Sequence, residues 1–388
     1  MQSPQNGQPR IRAKIGNVMI QPKRSDAPAG ATSLMRAAKR GDMEGIDREL
    51  ADGVDINERD PRGRTALAYA VSNGQLEAAI RLLDARARID LGDESGAPPL
   101  MQAIPPGHLD LLRLLLERGA NVNVRLAKNK MTPLILAAWY GHKDIAETLL
   151  DRKASIDAVT SGGLSALTTA IEQRHPEVAI LLLERGANIE LVSRTGMTVL
   201  EFAVTANDGE MVRRLLQRGM DAQRKGRGGM NPLMWASVRN APESLKALLE
   251  AGADPEAVTD AGSTPLILAA MNNALAAASL LLEKGVDVNA REPRLQATAL
   301  ILAVSRKHYD MVELLLRKGA DPNLADEGGR SPLMLAAARN HLPIAKLLVE
   351  SGADLDAKDK QGKTAREWIK NDKNPMLIEL LEPQPAAG

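Results

Sequence analysis

The chain of 388 residues has no cysteine and few aromatic residues: three tryptophans, three tyrosines and one phenylalanine. The lack of cysteine excludes disulfides, thiolate zinc sites and cysteine nucleophiles. With so few aromatic rings, the hydrophobic core must consist of leucine, alanine, isoleucine, valine and methionine. Apolar runs of membrane-spanning length are also absent from the sequence, so we expect no membrane span.

The charge of the chain has no excess of either sign, with 50 lysines and arginines against 49 aspartates and glutamates. No overall positive field attracts nucleic acid or an anionic membrane, so we expect neither as a partner. A cysteine-free chain without an apolar signal-peptide run fits a cytoplasmic protein. A periplasmic or secreted location is the alternative if the chain is a processed form.

The most regular feature of the sequence is a leucine that returns every 33 or 34 residues. A constant period of this length is typical of repeat proteins, in which one small helical or mixed element is copied and stacked. The sequence therefore predicts one elongated array that displays a long open surface. The periodic leucines are Leu34, Leu67, Leu100, Leu134, Leu167, Leu200, Leu233, Leu266, Leu300 and Leu333.

The copy at residues 131–160 indicates how each repeat folds. Thr132 is suited to cap a helix, and Pro133 is suited to the first helical position. A short apolar helix follows and ends at Gly141, and a second helix is predicted over about 143–152. Because neither helix is long enough to persist alone in water, each pair must bury its apolar side against neighbouring pairs.

Glycine follows most of the second helices, where its left-handed conformation ends a helix at little cost. Arg86 and Lys153 replace that glycine. Since a residue with a side chain adopts this left-handed conformation at a cost of about 1 kcal/mol, we expect the turns at these two positions to be less stable. Gln296 stands where the loop between other repeats has glycine, and we expect that loop to deviate.

These repeats resemble ankyrin repeats over about residues 30–381. The resemblance implies an all-α solenoid of stacked helix-turn-helix elements with short hairpin-like loops, and a concave side that binds partners. The strings that carry it are MTPLILAA at 131–138 with GH at 141–142, LLLERGANVN at 114–123, STPLILAA at 263–270, LLLEKGVDVN at 280–289, LLLRKGADPN at 314–323 and SPLMLAA at 331–337.

The same pattern predicts the domain organisation. We expect a flexible N-terminal tail at 1–29, an ankyrin repeat domain at 30–383 and a C-terminal tail at 384–388. The predicted repeats start near residues 30, 61, 94, 127, 161, 194, 227, 260, 294 and 327, with a cap over 360–383.

Side chains suited to catalysis or metal binding are present but are not grouped. All five histidines lie eight residues after a periodic leucine, which indicates one structural position that hydrogen-bonds a nearby backbone. Copies in adjacent repeats would lie about 8–10 Å apart, too far to share a zinc ion. We therefore predict no catalytic residue, no metal and no cofactor. An enzyme with an unrecognised site is a minor alternative.

Candidate binding residues occupy the two positions before the glycine in the middle of each repeat, which the resemblance places on the concave side. These pairs differ between repeats while the framework stays constant. Trp139 and Tyr140 are the strongest candidates, because tryptophan and tyrosine are common in binding hot spots; an incidental pair of surface aromatics is the alternative. The predicted protein-binding residues are Asn73, Trp139, Tyr140, Glu172, Gln173, Arg239, Asn272, Arg306 and Arg339.

Two further groups complete the site prediction. Arg224, Lys225 and Arg227 form a possible basic rim for an acidic partner, with a merely solvated face as the alternative. Tyr69, Phe202 and Trp235 lie two residues after a periodic leucine, where other repeats have leucine, and are predicted to fill the core.

The sequence thus predicts a non-enzymatic, monomeric scaffold or adaptor that binds a protein of unknown identity through its concave face. An inhibitor or immunity-type protein that blocks an enzyme or toxin would use the same surface and is the alternative function.

Overall fold

A computed structural model describes residues 30–369 and 374–382 of the chain. The chain divides into two units, Met1–Thr195 and Gly196–Gly388. Each consists of pairs of short α-helices joined by tight turns, as the period predicted. The predicted tails at 1–29 and 384–388 lie outside the described residues.

The described part of unit 1 contains ten helices, and that of unit 2 contains eleven α-helices with 3₁₀ turns at Arg227–Gly229 and Arg366–Trp368. The helices of unit 1 are α1 Ser33–Arg40, α2 Met43–Ala51, α3 Ala66–Ser72, α4 Leu76–Asp84, α5 Pro99–Gln102, α6 Leu109–Glu117, α7 Pro133–Tyr140, α8 Lys143–Asp151, α9 Ala166–Glu172 and α10 Pro176–Glu184. Those of unit 2 are α11 Val199–Thr205, α12 Gly209–Gln217, α13 Pro232–Arg239, α14 Pro242–Glu250, α15 Pro265–Met271, α16 Leu275–Glu283, α17 Ala299–Ser305, α18 Tyr309–Arg317, α19 Pro332–Ala338, α20 Leu342–Glu350 and α21 Pro375–Leu380.

Two layers of helices build each unit. The first helices of successive repeats pack side by side in one layer, which consists of the odd-numbered helices α1 to α9 in unit 1 and α11 to α19 in unit 2. The second helices of the repeats form the other layer. The periodic leucines lie in the core, and Leu67, Leu100 and Leu233 are completely buried. The structure therefore confirms the all-α solenoid architecture within each unit.

The starts of the first helices follow the predicted capping. The Thr132 hydroxyl accepts a hydrogen bond from the Ile135 amide at 3.3 Å, and Pro133 occupies the first turn of α7. Helix α5 is shorter than its counterparts, with four residues. Pro105 and Pro106 account for this, because proline lacks an amide donor and disfavours helical geometry in the residue before it.

The predicted left-handed corners are present at Arg86 and Lys153, with φ of 67° and 64°. Lys130 and Gln296 are also left-handed, with φ of 57° and 53°. In each of these two loops a backbone hydrogen bond joins residues that are five positions apart, such as the Glu292 amide and the Ala297 carbonyl. Other loops close over four residues, so the deviation expected at Gln296 is confirmed, and the extra residue explains the 34-residue spacings.

Replacing Arg86 by glycine should raise the free energy of unfolding by about 1 kcal/mol, because glycine adopts this left-handed conformation without strain. The matched reverse change is Gly119→Ala, at φ 90° with no heavy atom within 4 Å of the added Cβ. It should lower stability by a similar amount. Urea unfolding of both variants measures the effect, and a loss of stability in Arg86→Gly would contradict this account.

A carboxylate organises the loop before α3. Asp60 is buried and accepts hydrogen bonds from the amides of Arg62 and Arg64 at 2.9 and 2.8 Å, and from the Tyr69 hydroxyl at 2.8 Å. Burial alone would raise the pKa of Asp60, but these hydrogen bonds and the Arg64 charge outweigh it and lower the pKa. Loop aspartates Asp326 and Asp359 accept the equivalent amide pairs.

The predicted core fillers divide into two kinds. Tyr69 is 2% exposed and Phe202 is 6% exposed, as expected for core positions. Trp235 is only half-buried, so the core prediction is wrong for that residue. Its position two residues after a periodic leucine does not ensure burial, since Leu268 and Leu302 at the same position are also half-buried.

The Asp60→Asn variant should be less stable than the native chain by about 1–3 kcal/mol at neutral pH, since its amide group would face donors. A lowered folded pKa stabilises the protein above the unfolded pKa of about 3.9 and loses that contribution as pH falls through the folded value. The stability difference should therefore shrink below about pH 4. Thermal unfolding across pH tests this, with the exposed Asp52→Asn as control; a pH-independent difference would contradict it.

Candidate functional site

The predicted binding residues all lie at the carboxyl ends of the first helices or in the turns that follow. We call the positions five and six residues after each periodic leucine the helix-end row. In unit 1 the row includes Asn73 after α3, Trp139 and Tyr140 at the end of α7, and Glu172 and Gln173 at the end of α9. Since α7 packs against α9, the latter four residues occupy equivalent positions of adjacent repeats.

The aromatic pair is less exposed than its sequence position suggested. Trp139 and Tyr140 are both half-buried, and burial raises the pKa of Tyr140. The Tyr140 ring stacks on the His142 ring, with centroids 6.1 Å apart and planes inclined by 11°. Both rings are therefore partly covered, and for Tyr140 the turn after α7 supplies part of that cover through His142.

Two histidines near the pair each bind a backbone carbonyl of the preceding repeat. His175 donates from Nε2 to the Trp139 carbonyl at 3.0 Å, and His142 donates to the Pro105 carbonyl at 3.3 Å. A carbonyl oxygen only accepts, so Nε2 carries the proton in both rings. These bonds confirm the structural role predicted for the histidines, and each bond links a repeat to the one before it.

Glu172 differs from the other acidic residues of unit 1. Its side chain is half-buried, and Oε2 is buried without a hydrogen-bond partner among the described residues. Burial raises the pKa of Glu172. A carboxylate in this state can accept a hydrogen bond from a donor that arrives with a partner, which would compensate the cost of its burial.

The row of unit 2 has a different chemistry. Arg239 ends α13 and is half-buried, and Asn272, Arg306 and Arg339 follow α15, α17 and α19 and are exposed. The Asn272 side chain donates to the Leu268 carbonyl at 2.8 Å and so closes its own helix. Aromatic side chains are absent from these row positions.

A family model described as "Ankyrin repeats (3 copies)" matches residues 34–126, 124–193, 186–259, 233–326, 291–359 and 318–381. The chain belongs to the ankyrin repeat family. The comparison with curated proteins gave no significant match. Ankyrin repeats are generally protein–protein interaction modules, and their fold is typically a non-catalytic scaffold.

Solved structures of ankyrin repeat domains are similar to this ankyrin repeat protein. One is the ankyrin repeat domain of Bcl-3, described as a unique member of the IkappaB protein family, with 30% identity, a TM-score of 0.50 and coverage of 56% of this chain and 98% of that one. Another is the human ASB11 ankyrin repeat domain, with 26% identity, a TM-score of 0.50 and coverage of 58% of this chain and 100% of that one.

The predicted basic rim is partly used by the ankyrin fold itself. Lys225 donates from Nζ to the Val258 carbonyl in the next loop at 3.1 Å. Arg125 makes the equivalent contact with the Val159 carbonyl at 2.6 Å in unit 1. The exposed Arg227 lies in the 3₁₀ turn, and Arg224 is also exposed. At least one of the three rim cations is therefore a link between loops, a role that its spacing of 33 residues from Val258 could have indicated.

Metal sites and membrane spans are both absent from the part of the chain that the structure describes. No group of three or more histidine, aspartate or glutamate side chains there is arranged to hold a metal ion. None of the helices in residues 30–369 and 374–382 has the length and apolar character needed to cross a membrane.

The Glu172→Gln variant should be more stable than the native protein at pH 7, because it removes a charge whose burial is unfavourable. A raised folded pKa means that folding is favoured when Glu172 is protonated and is progressively penalised as pH rises through the folded value. The gain should disappear below about pH 4, near the unfolded pKa. Thermal unfolding of the variant and the native protein at pH 4 and 7 measures this difference, with exposed Glu177→Gln as control. A stability difference that is the same at both pH values would contradict the prediction.

Proposed function

We propose that this ankyrin repeat protein is a scaffold or adaptor that binds a protein partner through the helix-end row, with Trp139 and Tyr140 as anchors in unit 1. The observation that carries the proposal is the way the pair is held. The Trp139 carbonyl is bound by His175, and the Tyr140 ring is stacked on His142. Side chains on a fixed backbone lose less conformational entropy when a partner binds, which favours affinity.

The surroundings of the pair support this proposal. The exposed part of a half-buried aromatic ring can contact a partner while the rest of the ring stays packed in the protein. Aromatic residues are frequent among binding hot spots. Glu172 in the next repeat brings a carboxylate oxygen without a partner among the described residues. A partner that places an apolar group on the pair and a donor on Glu172 would satisfy both.

An inhibitor that blocks an enzyme or toxin would use the same row, and the identity of the captured partner distinguishes the two functions. A single hydrolase or toxin retained with near-equal stoichiometry, and inactive when bound, favours the inhibitor. Retention of several proteins or of a non-enzymatic partner favours the adaptor.

The double variant Trp139→Ala/Tyr140→Ala should weaken binding of the captured partner by at least about thirtyfold, since truncation of even one hot-spot residue costs about 2 kcal/mol. Affinity purification with mass spectrometry identifies the partner, and titration calorimetry then gives the dissociation constant. Tyr140→Phe keeps the ring and should bind normally. The control Tyr309→Ala removes an aromatic residue that is 39% exposed at the start of α18. Unchanged affinity of the double variant would remove this site.

A further inference from the structure

Arginine recurs in the row of unit 2, whereas the row of unit 1 is mixed, with Lys39 and Arg40 in its first repeat and aromatic and acidic residues further along. Arg239, Arg306 and Arg339 occupy the same position in three of its five repeats, and Ala206 and Asn272 occupy it in the other two. The residues that follow them are asparagine or lysine. The ends of α13, α17 and α19 therefore carry positive charge, the end of α15 is neutral, and no carboxylate occupies these positions.

Arginines on the second helices of unit 2 have a different environment. Arg213 lies 3.1 Å from the Glu250 carboxylate, and the Arg214 guanidinium lies 2.9 Å from that of Glu210. None of the three row arginines forms a salt bridge with another described residue; they are Arg239, Arg306 and Arg339. Arg213 and Arg214 thus have carboxylate partners within the protein, whereas the row leaves three guanidinium groups available for a carboxylate from outside.

Arg239 gives a second and independent indication of a ligand. Its side chain is half-buried, and Nε is buried with no hydrogen-bond partner among the described residues. A buried donor without a partner costs free energy. A carboxylate is the acceptor that best fits this group, because guanidinium and carboxylate form two parallel hydrogen bonds.

The spacing of the arginines indicates the shape of the ligand. Adjacent packed helices lie about 8–10 Å apart, so the row advances by that distance per repeat. An extended chain advances about 3.3 Å per residue, and three of its residues therefore span one repeat. Two acidic residues that are three positions apart in an extended ligand would therefore match Arg306 and Arg339. A third acidic residue, six positions from the one at Arg306, would match Arg239.

We propose that the arginine row of unit 2 binds an extended acidic segment of a partner protein. The surface is distinct from the aromatic pair of unit 1, so this proposal does not depend on the proposed role of Trp139 and Tyr140. Single-stranded nucleic acid fits less well, because these row positions offer no aromatic ring on which bases could stack. Residues 1–29 of this chain contain five lysines or arginines and one aspartate, and so have the same sign as the row.

The test uses the full chain and a fluorescent ten-residue peptide with glutamate at positions 1, 7 and 10 and serine or alanine elsewhere. Anisotropy at low salt should show saturable binding that weakens as salt is added. The triple variant Arg239→Gln/Arg306→Gln/Arg339→Gln should bind at least about tenfold more weakly. The matched control Lys246→Gln/Lys284→Gln/Lys346→Gln removes the same charge from second helices or their ends and should bind as the native chain does.

Charge reversal keeps the result interpretable if the triple variant folds poorly. Arg306→Glu/Arg339→Glu should lose the glutamate peptide and bind a peptide with lysine at the same positions, while circular dichroism checks the helix content. Four results would overturn the proposal: no binding at millimolar glutamate peptide, equal binding of a glutamine peptide, equal weakening by the lysine control, or tighter binding of an oligonucleotide of equal charge.

Discussion

The first helices of the described repeats are four to eight residues long, and no helix of that length is stable by itself in water. They exist because each packs its alanine and leucine side chains against the first helices of neighbouring repeats in the same unit. Ala70, Ala137 and Ala269 are completely buried at these contacts. Stability in such an array comes from each repeat and its neighbours, and the framework positions are therefore tightly constrained.

The same constraint decides where function is placed. Side chains in the two helical layers, the loop aspartates and the corner residues serve the fold, which leaves the helix ends as positions where the side chain is free to differ. The framework also fixes the backbone at these positions. His175 belongs to the connection between α9 and α10, yet it binds the carbonyl of Trp139 in the previous repeat. A repeat thus fixes the backbone of its neighbour at the proposed binding residue.

Much of this arrangement could be read from the sequence, because local signals and global packing agree. The leucine period, the Thr132–Pro133 start and the left-handed corners at Arg86 and Lys153 are local patterns with direct structural meaning. The partial burial of Tyr140, the unpartnered oxygen of Glu172 and the link from Lys225 to the next loop were not predicted. They depend on groups that are distant in sequence, and only the three-dimensional packing shows how much of each side chain is covered.

The division between the two halves of the row is a consequence of the same freedom. Unit 1 presents Trp139, Tyr140 and Glu172, and unit 2 presents arginines on an equivalent framework. Two chemically different surfaces can be built in this way without any change in the packed layers, since the positions involved contribute little to the core. The fold accounts for the framework, and we propose that the residues at the helix ends determine the choice of partner.

Hydrogen exchange with mass spectrometry on the full chain, free and bound to its captured partner, tests the central claim most directly. The account predicts slower exchange of amides at the helix ends and following turns, around residues 139–142, 172–175 and 239–241. It predicts no change at the ends of the second helices, around residues 184–188 and 250–254. Protection confined to the second helices would contradict the assignment of the helix-end row as the binding surface.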